Sequence, residues 1–229
     1  GVTVTVTPGS TVIFKGNSRR IAVGSGGNNG RLIIRGKPGQ RIRLETSAPF
    51  TPGYIEGATY RAEVQLSHVD LFRVGTAAKP AINLYVKGGT KSNAGDVLIV
   101  EDCTFTQCGL LKARTYNGSV SDPLVRIKRN DFRESVEASE RTVWVTSANA
   151  QGEHTIHQNT SDGAFLFRDF EGEITDNVVV AVKYQPLNAR FKSGTILRGN
   201  VFRTEGATYA AVIFQSSEIA MTDNVFWTS

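Results

Sequence analysis

The chain has 229 residues, with 26 Lys or Arg against 21 Asp or Glu, a formal charge of +5 and a pI near 9.3. Apolar residues make up 40% and charged residues 21%, with 23 glycines, which excludes a disordered tail, and no apolar run approaches the ~20 residues of a membrane-spanning helix. The small basic excess points to an acidic partner, and Cys103 and Cys108 are too few for a disulfide framework and read as buried free thiols.

From the N-terminus, Val2–Thr7 alternates at the β period and stops at Pro8-Gly9, and Thr11–Phe14 repeats the pattern, so two strands are expected at the start. Leu32-Ile-Ile34, Gly36-Lys-Pro-Gly39 and Ile42-Arg-Leu44 read as strand, tight turn, strand. Leu66-Ser-His-Val69-Asp-Leu71 then introduces a phrase: an apolar residue, two variable residues, a corner residue, one more residue, and an apolar residue. It returns as Val100…Cys103…Phe105, Ile127…Asn130…Phe132, Ile174…Asn177…Val179, Leu197…Asn200…Phe202 and Met221…Asn224…Phe226, with a degenerate copy at Ile156…Asn159…Ser161. The corners from Cys103 to Asn224 are 27, 29, 18, 23 and 24 residues apart. Such a period is that of one solenoid turn. Two intervals, Val86–Gly95 and Leu110–Pro123, are longer than a bare coil needs and are expected to loop out on one face.

The expected fold is all-β, a single-stranded right-handed parallel β-helix of about eight coils forming one domain over 1–229. The start at Gly1, with no initiator Met and no leader, reads as a mature product or an excised domain. Asn at the corner has two expected roles: it tolerates the left-handed backbone region, and its amide can bond to the Asn of the next coil. Because strand side chains alternate, residues three before and two after the corner point inward. The residues two before it then form an outward column: Glu101, Lys128, His157, Thr175, Arg198, Thr222. The residues three after it form another: Thr106, Arg133, Asp162, Val180, Arg203, Trp227.

With the repeated phrase and Leu32-Ile-Ile-Arg-Gly-Lys-Pro-Gly-Gln40, the chain resembles right-handed parallel β-helix proteins, most closely the polysaccharide-lyase group of alginate lyases and chondroitinase B, which carry similar N-x-F corners. In that group a lysine and an arginine on neighbouring coils carry the chemistry, the arginine in a Leu-x-Leu-Arg-x-Gly strand. The nearest match here is Ile196-Leu-Arg198-Gly199-Asn200, in which Asn200 stands where that strand would continue. Lys183 is the lysine on the coil before it, and no Asn-Lys-Ser phrase accompanies it.

The resemblance implies β-elimination on an acidic polysaccharide. That reaction needs positive charge against the uronate carboxylate and a base for the C5 proton. Lys128, His157 and Arg198 are the candidate catalytic residues, Arg133, Arg203, Tyr116 and Tyr184 the candidate substrate-binding residues, with the tyrosines as proton donors. Glu101, one coil below Lys128, offers a plain cross-strand ion pair instead. His154 and His157 fall on one strand and are read as sharing a face, but no third metal ligand stands at a recognisable spacing. No cofactor is expected, with calcium the one ion left open; no calcium site is identifiable, because Asp102, Asp176 and Asp223 lie on coils separated by Arg129, Gln158 and Gly199. No nucleic-acid partner is expected, since the phenylalanines are inward by register, and no membrane insertion. Phe226-Trp227, directly after the last corner, predicts that a further domain or another subunit covers that coil. The expected location is extracellular, periplasmic, or on a virion or cell surface. The rival to a lyase is a non-catalytic carbohydrate-binding, adhesin or tailspike-type β-helix module.

Overall fold

The computed structural model describes residues 5–24, 28–49, 51–57, 61–84, 97–116, 124–135, 141–148, 154–207, 209–215 and 218–229. Among them lie 25 strands and no helix, arranged in three parallel sheets of nine, eight and eight strands. Successive strands go to the first, second and third sheet in turn, so each coil adds one strand to each. The coil Asp131–Arg133, Arg141–Ala148, His154–His157 is typical. This is the right-handed parallel β-helix expected from the repeat, with its coils stacked in register.

The core is a set of columns. On the third sheet Leu66, Val100, Ile127, Ile156, Ile174, Leu197 and Met221 stand directly over one another. On the first sheet the column runs Leu71, Phe105, Phe132, Ser161, Val179, Phe202, Phe226. Phe105 and Phe132 stack at 4.8 Å between centroids, as strand spacing dictates for successive rings in one column. Within the coils these side chains are sealed from water, whereas the last coil leaves Met221, Val225, Phe226 and Trp227 between 38% and 52% exposed.

Ser161 interrupts the apolar column for a reason that lies on the second sheet. Arg141 pairs with Ala164 while Val143 pairs with Phe165, so Thr142 is one residue too many, a β-bulge. Thr142 is pushed inward, 3% exposed, and its hydroxyl meets Ser161 Oγ at 2.6 Å and the Gly163 carbonyl at 3.1 Å. A serine stands where the other coils of the column keep a leucine, phenylalanine or valine because it faces a polar intruder that needs a partner.

Three sequence expectations require correction. Thr5–Thr7 form no strand: the Ser10 N–H turns back to the Thr7 carbonyl at 3.1 Å, and Val2–Val4 lie outside the described residues. Leu111–Tyr116, expected in a loop, is a regular strand of the second sheet, because Leu111 and Ala113 fill the core between neighbouring coils. Residues 117–123 of that interval, and the expected loop Val86–Gly95, lie outside the described residues. The corner asparagines do not take the left-handed conformation. The residue before each one does, with φ of 56° at Asp102, 53° at Arg129, 52° at Gln158, 57° at Asp176, 66° at Gly199 and 55° at Asp223.

What the asparagines do is form a ladder. Asn130 Nδ2 donates to Asn159 Oδ1, Asn159 to Asn177, Asn177 to Asn200 and Asn200 to Asn224, each at 2.9 Å. Each of those oxygens also accepts the main-chain N–H of the asparagine one coil earlier, at 3.0–3.1 Å. Cys103 ends the run: its N–H still donates to Asn130 Oδ1 at 2.9 Å, and its thiol turns to the Glu101 carbonyl at 3.2 Å.

Candidate functional site

The outward column ahead of the corner is physically contiguous. Glu101 pairs with Lys128, Lys128 with His157, His157 with Thr175, Thr175 with Arg198 and Arg198 with Thr222. Adjacent members are therefore separated by one strand spacing, ~4.8 Å. The left-handed residues pin this column from behind. Asp102 N–H donates to Lys128 O at 3.0 Å, Arg129 N–H to His157 O at 2.9 Å and Asp176 N–H to Arg198 O at 2.9 Å. The positive φ is what lets a tight corner aim its N–H at the coil ahead rather than at solvent.

Within the column the charges are unevenly satisfied. Glu101 lies beside Lys128 in register, yet its carboxylate meets Arg129 at 3.9 Å. Arg129 is committed to Asp102, which it grips with both arms of its fork at 2.7 and 2.8 Å. The hydrogen bond from that guanidinium holds the Asp102 carboxyl below the usual carboxylate range. Among the described residues neither Lys128 nor Arg198 has a carboxylate partner. Thr175, expected on the solvent side, is only 3% exposed. Its hydroxyl lies 2.8 Å from His157 Nδ1, and Asp176 Oδ2 lies 3.5 Å from the same nitrogen. With Nδ1 so occupied, Nε2 is the nitrogen left to exchange a proton.

The other histidine belongs to the interior. His154 and His157 are three residues apart on one strand, so they point to opposite faces, not to a common one. His154 is fully buried, its Nδ1 accepts the Val125 N–H at 3.3 Å, and burial followed by the Lys192 charge lowers its pKa to about 4.

Of the remaining candidates, Arg133 and Arg203 lie across the corner on the first sheet. Arg133 is paired with Asp131, while Arg203 bonds Glu205 at 2.8 Å and lies 4.3 Å over the Trp227 ring. Tyr116 ends a strand of the second sheet, and its side chain lies outside the described residues. Tyr184 stands in the turn that leads to the second sheet, on a different face from Lys128, His157 and Arg198. There it borders a cavity of about 200 Å³ with Lys112, Arg141 and Trp144. Those three neighbours are absent from the outward columns read from the sequence. The signal that could have found them is Ser161, whose polarity in an apolar column marks the coil with the bulge.

No protein-family model, curated protein or solved structure matches the chain.

Proposed function

We propose that this β-helix acts on an acidic polysaccharide, held across the outer face of the third sheet and cleaved there by β-elimination. The observation that carries the reading is His157, whose Nδ1 is engaged by Thr175, standing in one register column with two cations, Lys128 and Arg198, that have no carboxylate partner among the described residues. Lys128 and Arg198 stand three rungs apart in that column, roughly 14 Å at the strand spacing, so each meets a different sugar of a polysaccharide laid along it. Lys128 offsets the uronate carboxylate, which acidifies the C5 proton. His157 Nε2 takes that proton. The C5 electrons form the C4–C5 double bond, the C4–oxygen bond breaks, and the leaving oxygen is protonated by water. Arg198 binds the carboxylate of a neighbouring sugar, a planar two-oxygen partner suited to a guanidinium. The proposal extends to an extracellular or surface setting and to a further domain or subunit over the apolar last coil.

The test is the ultraviolet absorbance of the new conjugated double bond, followed with alginate, pectate, chondroitin, heparin and hyaluronan. A rise with one polymer that disappears in Lys128→Ala and Arg198→Ala supports the reading. A rise unchanged in both variants, or a flat trace with every polymer, rejects elimination by this column and leaves the non-catalytic binding module.

A further inference from the structure

We propose that the cavity over the second sheet is a binding site for one sugar ring bearing an anionic group, built by the bulge at Thr142. It shares with the reading above only the premise that the ligand is an acidic polysaccharide.

The bulge decides which side chains reach this face. In a regular strand, alternation would put Trp144 outward, Val143 inward, Thr142 outward and Arg141 inward. The extra residue instead sends both Thr142 and Val143 into the core, 3% and 0% exposed, and returns Arg141 to the outer face beside Trp144. Bulges commonly re-aim a side chain in this way next to functional sites. The Thr142–Ser161 hydroxyl contact at 2.6 Å holds the arrangement from the inside.

The lining then has three parts. Pro80 and Leu110, both buried, form an apolar floor, Trp144 and Tyr184 form aromatic walls, and Lys112 and Arg141 bring positive charge. Lys112 is the register partner of Trp144, and its Nζ lies 3.8 Å from the indole centroid, while the Arg141 guanidinium lies 5.8 Å from the Tyr184 ring. Tyr184 as a residue is 42% exposed, and Arg141 has no carboxylate partner among the described residues. A volume of about 200 Å³ is below the roughly 300–1,000 Å³ of sites for drug-sized ligands. It suits a single ring.

Each part answers to one feature of an anionic sugar. The C–H face of a pyranose is slightly positive and rests on the negative face of an aromatic ring. A carboxylate or sulfate accepts the guanidinium fork of Arg141. Positive charge also accumulates around the cavity on the same sheet. Arg168 donates to the Phe167 carbonyl at 3.1 Å and to Asn188 Oδ1 at 2.9 Å, neither of them a charge partner. Burial, then the charges of Arg190 and Arg141, hold its guanidinium below its ordinary pKa. Arg190 is itself paired with Asp169 at 2.6 Å, so the charge left on this face is that of Arg141 and Arg168, which favours an anion.

The chain has two tryptophans, so Trp227→Phe leaves Trp144 as the sole indole reporter. In that background, tetrasaccharides of mannuronate, galacturonate, hyaluronan and heparin are titrated while indole emission is followed, with a neutral xylan tetrasaccharide as control. The expected result is a saturable emission change with at least one acidic oligosaccharide and none with xylan. Arg141→Gln and Tyr184→Ser should each weaken that binding about tenfold or more, whereas Lys128→Ala leaves it unchanged. No response to any acidic oligosaccharide overturns the site, as does a response indifferent to both Arg141→Gln and Tyr184→Ser. Loss of double-bond absorbance in Lys128→Ala with the emission change retained separates this cavity from the third-sheet column. An emission change with no elimination in any variant leaves the cavity standing and removes the lyase reading alone.

Discussion

The side-chain amide of Asn159 donates to Asn177 Oδ1 at 2.9 Å, and that same oxygen accepts the main-chain N–H of Asn159 at 3.0 Å. One side chain thereby closes two donors of the coil before it. Asn177 in turn gives its own amide hydrogens to Asn200 Oδ1 at 2.9 Å and to the Ile156 and Thr175 carbonyls at 2.9 and 3.0 Å. Every amide in the run points the same way, so the bonds polarise one another along the solenoid.

Asn177→Ala is expected to lower unfolding stability by about 3–5 kcal/mol, because it strands buried donors on Asn159 and an acceptor on Asn200. Asn224→Ala, at a half-exposed rung, should cost clearly less. Urea denaturation of both variants checks this, and equal losses would show that the ladder contributes nothing beyond local corner geometry.

The left-handed corner position separates residue types. Gln158 has φ of 52° and donates its N–H to the Thr175 carbonyl at 3.0 Å. Gln158→Gly should stay within about 1 kcal/mol of the parent, while Gln158→Val should lose about 1–2 kcal/mol more, since a β-branched side chain clashes in that region. Thermal melts of the pair decide it.

His154 sets a pH dependence. Its pKa falls from 6.5 to about 4 on folding, so the unfolded chain binds the proton more readily. Stability is therefore unaffected above pH 6.5 and declines as pH falls from there to about 4, by about 3 kcal/mol in total. His154→Leu should flatten that slope in denaturation curves measured across this window.

Burial pushes the Cys103 and Cys108 thiols up to about 12, and both are free. Neither should react with an alkylating reagent at mildly alkaline pH in the native protein, because the thiolate is the nucleophile. Both should react after denaturation. Mass spectrometry counts the adducts, and rapid native labelling would contradict the packing around these corners.

If the third-sheet column is catalytic, Thr175 acts as a positioning residue for the His157 imidazole. Thr175→Ala should lower kcat about tenfold with little change in KM, and Thr175→Ser should restore most of it. Lys128→Ala should raise KM as well. A Thr175→Ala enzyme with an unaltered kcat would remove His157 from the reaction.

Much of this protein is written in its repeat. The spacing of Cys103, Asn130, Asn159, Asn177, Asn200 and Asn224 determined the solenoid, the inward columns, the asparagine ladder and the single column that holds Lys128, His157, Thr175 and Arg198. All of these depend only on period-two alternation and a corner at a constant offset, which act within one short phrase. What depends on neighbouring coils was not legible. The left-handed φ falls on Asp176, not Asn177, because the Asn amide must face inward to reach the next rung. Thr175 is covered although its position in the strand is outward, and its hydroxyl is held by His157 one coil away. The bulge that turns Arg141 outward arises between strands of different coils, and its only trace in the chain is a serine at position 161. Local alternation reports the face a residue would take in an isolated strand. Stacking decides which residue must give way so that every coil closes on the one before it.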